Sequence, residues 1–186
     1  MKIINNSLGI IVIEPKVFGD SRGFFLESFQ SQRYREIGIN VDFVQDNISR
    51  SGHGVLRGLH YQLKHAQGKL VTVIAGEVLD VAVDIRCGSP TFGQYFSAIL
   101  SGENHKQLYV PPGFAHGFCV LSSYVDFYYK CTNYYNPSDE YGVLWNDEDV
   151  GIKWSRLSCE PILSQRDMQN KRLKDISVDL LPKFVV

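Results

Sequence analysis

The feature that most constrains this chain is its punctuation. Apolar runs of four to nine residues, rich in Val, Ile, Phe and Tyr, are each cut short by Gly, Pro or a polar turn. Runs of that length and composition form strands rather than helices. The expected strands are Gly9–Glu14, Gly23–Phe29, Asp42–Gln45, Gly54–Gln62, Lys69–Ile74, Glu77–Ile85, Gly93–Leu100, Lys106–Val110, Phe118–Leu121 and Val125–Cys131. Ala75-Gly76 reads as the turn of a hairpin between Lys69–Ile74 and Glu77–Ile85. Helix is sparse: Ser31 is placed to cap a short one through Ile37 that stops at Gly38, and Ser164 to cap another near the C-terminus. The stretch 177–186 reads as either helical or extended. Some ten short strands with no repeat, linker or low-complexity tract predict one domain, 1–186, built as an antiparallel sandwich or jelly roll.

Charge and missing motifs exclude several function classes. Nineteen Lys and Arg against twenty Asp and Glu leave a net charge of −1, which speaks against nucleic acid or an anionic membrane as the main partner. No apolar run approaches the roughly 20 residues of a membrane-spanning helix. The N-terminus carries no apolar stretch ending in a small-residue cleavage site, so a cytoplasmic location is expected. Cys87, Cys119, Cys131 and Cys159 are then read as free thiols, since no Cys-x-x-Cys occurs. Gly-x-Gly-x-x-Gly, phosphate-loop, Gly-x-Ser-x-Gly and His-Glu-x-x-His motifs are absent, leaving little support for nicotinamide, ATP or serine-hydrolase chemistry.

Two histidines sit in suggestive frames. The segments Gly54-Val-Leu-Arg-Gly-Leu-His60 and Pro111-Pro-Gly-Phe-Ala-His116 resemble the two halves of the cupin signature, a jelly-roll family. A metal-binding cupin would supply a second His two residues after the first, where this chain has Gln62, and no carboxylate lies in 63–69. Two imidazoles seldom suffice for a tight metal site, so an all-β, cupin-like jelly-roll barrel with a few short helices and no metal is expected. His60 could be a hydrogen-bonded core histidine. Its polar company, with Arg57 before it, Tyr61 and Gln62 after it and Lys69 opening the next strand, favours function. Arg57 and His60 are three apart and would face opposite sides of a regular strand; Gly58 offers a bulge that would reunite them. Asp167 ends a Ser-x-x-Asp capping pattern, which leaves helix capping and catalysis equally open. Tyr129 shares a strand face with Phe127 and Cys131 and is otherwise one phenol among ten.

Longer blocks carry a more specific resemblance. They include 18–27, Phe43-Val-Gln-Asp-Asn47, Val55-Leu-Arg-Gly-Leu-His-Tyr-Gln62, Gln67-Gly-Lys69, 76–84, Pro112-Gly-Phe-Ala-His-Gly-Phe118, 129–135 and Pro161-Ile-Leu-Ser-Gln-Arg-Asp167. Together they resemble the dTDP-4-dehydrorhamnose 3,5-epimerase family, cofactor-free epimerases of dTDP-rhamnose biosynthesis, over nearly the whole chain. The resemblance implies His60 as general base, Asp167 as the carboxylate that orients it and Tyr129 as proton donor. It implies Lys69, Arg57 and His116 around the keto-sugar, and Gln45, Asn47, Glu140 and Arg166 as substrate contacts. Tyr135 is expected to line the same pocket. Arg22 and Glu27 match residues on a strand exchanged between subunits, implying a homodimer whose sites borrow from the neighbour. The expected substrate is a dTDP-linked 4-keto-6-deoxy sugar. The loop 63–66 lacks the Pro common in the family, and the tail after Asp175 follows no family pattern. A single-site epimerase or ketoisomerase on the same scaffold is the nearest alternative. A non-catalytic nucleotide-sugar binder would need neither a His–Asp pair nor a proton donor. A metallo-cupin oxygenase is disfavoured by Gln62.

Overall fold

The computed structural model describes residues 1–154 and 160–185, so Cys159 lies outside the described residues. Among the described residues, thirteen strands and two short α-helices follow one another. They are β1 (Lys2–Ser7), β2 (Ile10–Glu14), β3 (Val17–Asp20), β4 (Gly23–Leu26), α1 (Ser31–Glu36), β5 (Gln45–Gly52), β6 (Leu56–Gln62) and β7 (Lys69–Ala75). Then come β8 (Glu77–Asp84), β9 (Tyr95–Ser101), β10 (Gln107–Val110), β11 (Phe114–Val120), β12 (Tyr124–Cys131), β13 (Glu140–Gly142) and α2 (Gln165–Met168).

The strands form two antiparallel sheets, ordered β1-β2-β10-β7-β12-β5 and β13-β6-β11-β8-β9, with β3 and β4 as a separate hairpin. This is the antiparallel jelly roll that the strand pattern predicts, in the cupin-like form that the two histidine segments imply. Period-two alternation explains how it is filled. On β2, Ile10 and Val12 face the core between the sheets, while Ile11 and Ile13 pack outward under Tyr34 and Ile39 of the α1 region. On β8, Val78 and Ala82 face inward, and Leu79, Val81 and Val83 pack outward under Leu173, Ile176 and Leu181. The tail is therefore part of the structure. A 3-10 turn at Val178–Leu180 leads to a parallel bridge between Lys183 and Cys87.

Several local expectations need correction. Ala75-Gly76 is not a hairpin turn, because β7 and β8 belong to different sheets; it is the corner where the chain crosses the barrel. Only glycine fits there, since a Cβ on Gly76 would stand 2.0 Å from the Tyr124 carbonyl oxygen. The strand expected at 42–45 begins only at Gln45 and runs to Gly52, with polar Gln45, Asn47, Ser49 and Ser51 turned inward. β11 starts at Phe114 and not at the expected Phe118, which puts His116 inside the strand. The α1 cap is Gln30, whose Oε1 accepts the Arg33 N–H at 2.7 Å, and not Ser31. β1, β3 and β13 carry no strand signal that the sequence pattern could pick up.

Candidate active site

β6 and β11 pair so that His116 stands opposite His60, and Phe118 opposite Arg57. Three residues on β6 thus span two on β11, which is the bulge that Gly58 makes feasible. Gly58 adopts φ 126°, and a Cβ there would lie 2.6 Å from the Gly117 Cα. The glycine pair lets two strands press together and turns Arg57 and His60 into one cavity.

That cavity has a volume of about 630 Å³ and opens between the two sheets. Its lining includes Gln45 and Asn47 from β5, Arg57 and His60 from β6, Lys69 from β7, His116 from β11 and Tyr129 from β12. Tyr135, Glu140, Arg166 and Asp167 complete its polar wall, and Val55, Phe118, Phe127 and Ile162 supply apolar surface. Eleven of the thirteen candidate residues therefore meet in one place. Arg22 and Glu27 do not. Arg22 lies exposed in the β3–β4 turn, paired with Asp20 at 2.6 Å, and Glu27 pairs with Arg33 at 2.8 Å.

His60 Nε2 lies 2.6 Å from Asp167 Oδ1. An ionised carboxylate only accepts, so Nε2 carries the hydrogen and Nδ1 is left as the basic nitrogen. Burial pushes the Asp167 carboxyl upward, but hydrogen bonds from His60, Ser164 and the Gly58 backbone bring it below the usual carboxylate range. The capping reading also holds, because Ser164 Oγ accepts the Asp167 N–H at 3.1 Å. One turn of helix thus presents the acid to the histidine. Glu140 Oε1 stands 3.9 Å from His60 Nδ1, while its other oxygen accepts from Tyr135 and Arg166.

The opposite wall differs in character. Burial pushes the Tyr129 phenol above its ordinary value, and nearby Cys131 and Glu140 push the same way. Burial lowers Lys69, with the charges of Cys131, Glu140 and Asp80 opposing. The Lys69 ammonium sits 5.9 Å from the centre of the Tyr129 ring. Gln45 and Asn47 hydrogen-bond each other at 2.9 Å, and Gln45 accepts the Tyr135 backbone N–H. The arrangement places an imidazole on β6 with its carboxylate held by α2, and on the other sheet a phenol on β12 and a lysine on the adjacent β7. Such a cavity can remove a proton on one side, return one on the other and stabilise negative charge between.

Ser49 and Gln67 in the lining escaped the sequence reading, as did two polar groups behind it. Asp80 Oδ1 holds His116 Nε2 at 2.8 Å, and Ser51 Oγ accepts from Arg57 Nε at 3.0 Å. Asp80 was detectable in principle, since it shares a strand face with core residues Val78 and Ala82 and so is an acid at an inward position. Gln62, at the cupin ligand position, instead clamps a loop: its amide bonds His65 O, Tyr134 O and Asn136 N. Among the described residues, no group of three His, Cys, Asp or Glu side chains is placed to hold a metal ion.

The family model for dTDP-4-dehydrorhamnose 3,5-epimerase matches residues 6–175. A dTDP-4-dehydrorhamnose 3,5-epimerase from Shigella flexneri is 51% identical over 178 residues, covering 94% of this chain and 97% of the relative. One from Pseudomonas aeruginosa is 54% identical over 167 residues, covering 89% and 92%. A Legionella pneumophila dTDP-6-deoxy-D-glucose-3,5-epimerase, solved in complex with dTDP-4-keto-L-rhamnose, superposes with a TM-score of 0.96 at 55% identity, covering 100% of this chain and 99% of that one. By sequence over most of its length and by fold over all of it, the chain belongs to the dTDP-4-dehydrorhamnose 3,5-epimerase family.

Proposed function

We propose that this protein inverts C3 and C5 of dTDP-4-dehydro-6-deoxy-D-glucose, giving dTDP-4-dehydro-L-rhamnose, and that His60 and Tyr129 divide the proton transfers between them. The carrying observation is that His60, held by Asp167 of α2, and Tyr129 stand on strands of different sheets and face one cavity. Inversion requires that arrangement, because the returning proton must reach the face opposite to the one it left.

The ketone at C4 acidifies the hydrogens on C3 and C5. His60 Nδ1 takes one of them, and the electron pair moves into the ring as an enolate with its charge on the C4 oxygen. Asp167 accepts the Nε2 hydrogen and stabilises the imidazolium as it forms. Lys69, with Arg57 nearby, supplies positive charge toward the enolate; preorganised donors of this kind are worth about 3–4 kcal/mol. Tyr129 then protonates the carbon from the opposite wall. Its raised phenol stays protonated at neutral pH, as a donor must. The imidazolium then releases its proton to water and the Tyr129 phenolate takes one up from water; repetition at the second carbon completes the double inversion, and no electrons leave the sugar.

Gln45, Asn47, Glu140, Arg166 and Tyr135 line the cavity and are assigned to the nucleotide and sugar. Arg22 and Glu27 are assigned to the neighbouring subunit's site in a homodimer. In support, the β3–β4 hairpin that leads to them exposes Phe18, Phe24 and Phe25, each more than half accessible in the single chain. An exposed aromatic group of this kind marks an interaction surface. The chain is read as one domain acting in the cytoplasm; no helix among the described residues is long and apolar enough to cross a membrane.

The test uses the dTDP-linked 4-keto-6-deoxy sugar in D2O, followed by proton NMR. Wild-type protein should place deuterium at both C3 and C5 of the product. His60→Asn should lose exchange and inversion together, by about 10²–10⁴-fold. Tyr129→Phe should exchange better than it inverts, because His60 can return the proton to the face it left. Label at one carbon only would point to a single-site epimerase. A folded His60→Asn variant that still exchanges briskly would refute the assignment of the base.

A further inference from the structure

We propose that Asn170 is a positioning residue for the His60–Asp167 pair, seated in a notch that Gly142 leaves on β13. The proposal rests on the assignment of His60 and Asp167 made above. β13 lies between the strand that carries the base and the segment that carries its carboxylate. On one flank it pairs with β6, so that Gly142 stands directly opposite His60, and Val143 N donates to Leu59 O at 2.9 Å. On the other flank Val143 bridges Lys171, and Leu144 N donates to Lys171 O at 2.8 Å. Arg166 Nη2 ties the near end of that segment to the Glu140 carbonyl at 2.8 Å. Residues 166–171 are thus stitched at both ends to the stretch 140–144, with Asp167 between the stitches.

Asn170 fills the gap between them. A Cβ placed on Gly142 would lie 2.4 Å from Asn170 Nδ2, 2.5 Å from its Oδ1 and 2.6 Å from its Cγ. Only glycine admits the amide there. Gly142 lies outside the left-handed region, so its backbone would accept alanine and the space taken by Asn170 is the constraint. No hydrogen bond from Nδ2 holds the amide there, since that atom is buried without a partner among the described residues. It contributes shape. α2 needs such a wedge, because four residues make a single turn that cannot fix its own orientation.

The test combines Gly142→Ala, Asn170→Ala and the double variant with two readouts. One is the far-downfield proton of the imidazole N–H held by Asp167. It is assigned by its loss in His60→Asn, because the His65–Asp139 and His116–Asp80 pairs give signals of their own. The other is steady-state kinetics with the nucleotide sugar. Gly142→Ala should shift or broaden the resonance and lower kcat by up to about 10²-fold, more than it raises KM. Asn170→Ala should do the same more weakly. In the Asn170→Ala background, Gly142→Ala should add no further loss, because the new methyl then occupies vacated space. Undiminished loss in that background overturns the proposal. So do an unchanged resonance and kcat in Asn170→Ala, which adds no bulk and remains informative if Gly142→Ala folds poorly. A resonance that moves while turnover is untouched supports the seat and removes His60 from the role of base.

Discussion

Replacing Asp167 by Asn tests the heart of the site, because it removes one charge and almost no volume. The side chain is buried, and its contact with His60 Nε2 measures 2.6 Å. The backbone N–H of Asp167 keeps its bond to Ser164, so α2 should survive the change. What is lost is a charge-assisted hydrogen bond that strengthens as the imidazole takes up a proton. Such bonds contribute about 1.5–3 kcal/mol, or about 10- to 150-fold in rate. The loss grows if the new amide turns its NH2 toward Nε2, since the ring hydrogen then moves to Nδ1 and blocks the basic nitrogen. On the proposed mechanism Asp167 acts only through His60. Exchange and inversion should therefore slow by the same factor, and the ratio of the two should stay at its wild-type value. Deuterium incorporation and product formation can be read from one NMR time course, with circular dichroism to verify folding. A folded variant within a few-fold of wild type, or one whose exchange-to-inversion ratio changes, would refute the reasoning.

Three further outcomes follow from the same geometry. Burial lowers Lys69, so it loses its charge at a lower pH than a solvent-exposed lysine, while Tyr129 is shifted upward. Activity should fall as pH rises through the Lys69 titration, and Lys69→Met should abolish that alkaline limb and lower kcat by about 10²–10³-fold. Burial pushes Asp84 upward, but Arg86, Ser89 and Thr91 outweigh it and hold the carboxyl low. Its stabilisation is complete above the unfolded value near pH 4 and disappears as pH falls through the lower folded value. Asp84→Asn should cost about 3–5 kcal/mol at neutral pH and flatten the acid decline of the thermal midpoint, both measurable by scanning calorimetry. Finally, mixing inactive Arg22→Ala and His60→Asn protomers should restore activity if each site borrows Arg22 from its neighbour. No recovery after subunit exchange, with dimers present in sedimentation, would count against composite sites.

The class of fold was legible locally because a strand's two-residue period is a property of adjacent residues. β2, β6, β7, β8 and β12 announce themselves through Val, Ile, Phe and Tyr. β5 does not, because Gln45, Asn47, Ser49 and Ser51 turn polar groups toward the cavity and erase the apolar signal. The motif blocks carrying the family resemblance likewise lie in the sequence, and eleven of the thirteen candidate residues line one cavity. Pairing was another matter. Nothing near Ala75-Gly76 distinguishes a hairpin from a corner; that choice depends on which distant strands each neighbour meets, and β7 takes β10 and β12 while β8 takes β9 and β11. The same limit hid the site's hydrogen bonds. His60 and Asp167 are 107 residues apart, and His116 and Asp80 are 36 apart. Residue type alone can nominate a base and an acid, but their contact requires the chain to close on itself. Tertiary structure alone decided that Asp167 both follows a helix cap and faces His60, and that Gly142 leaves room for Asn170 behind them.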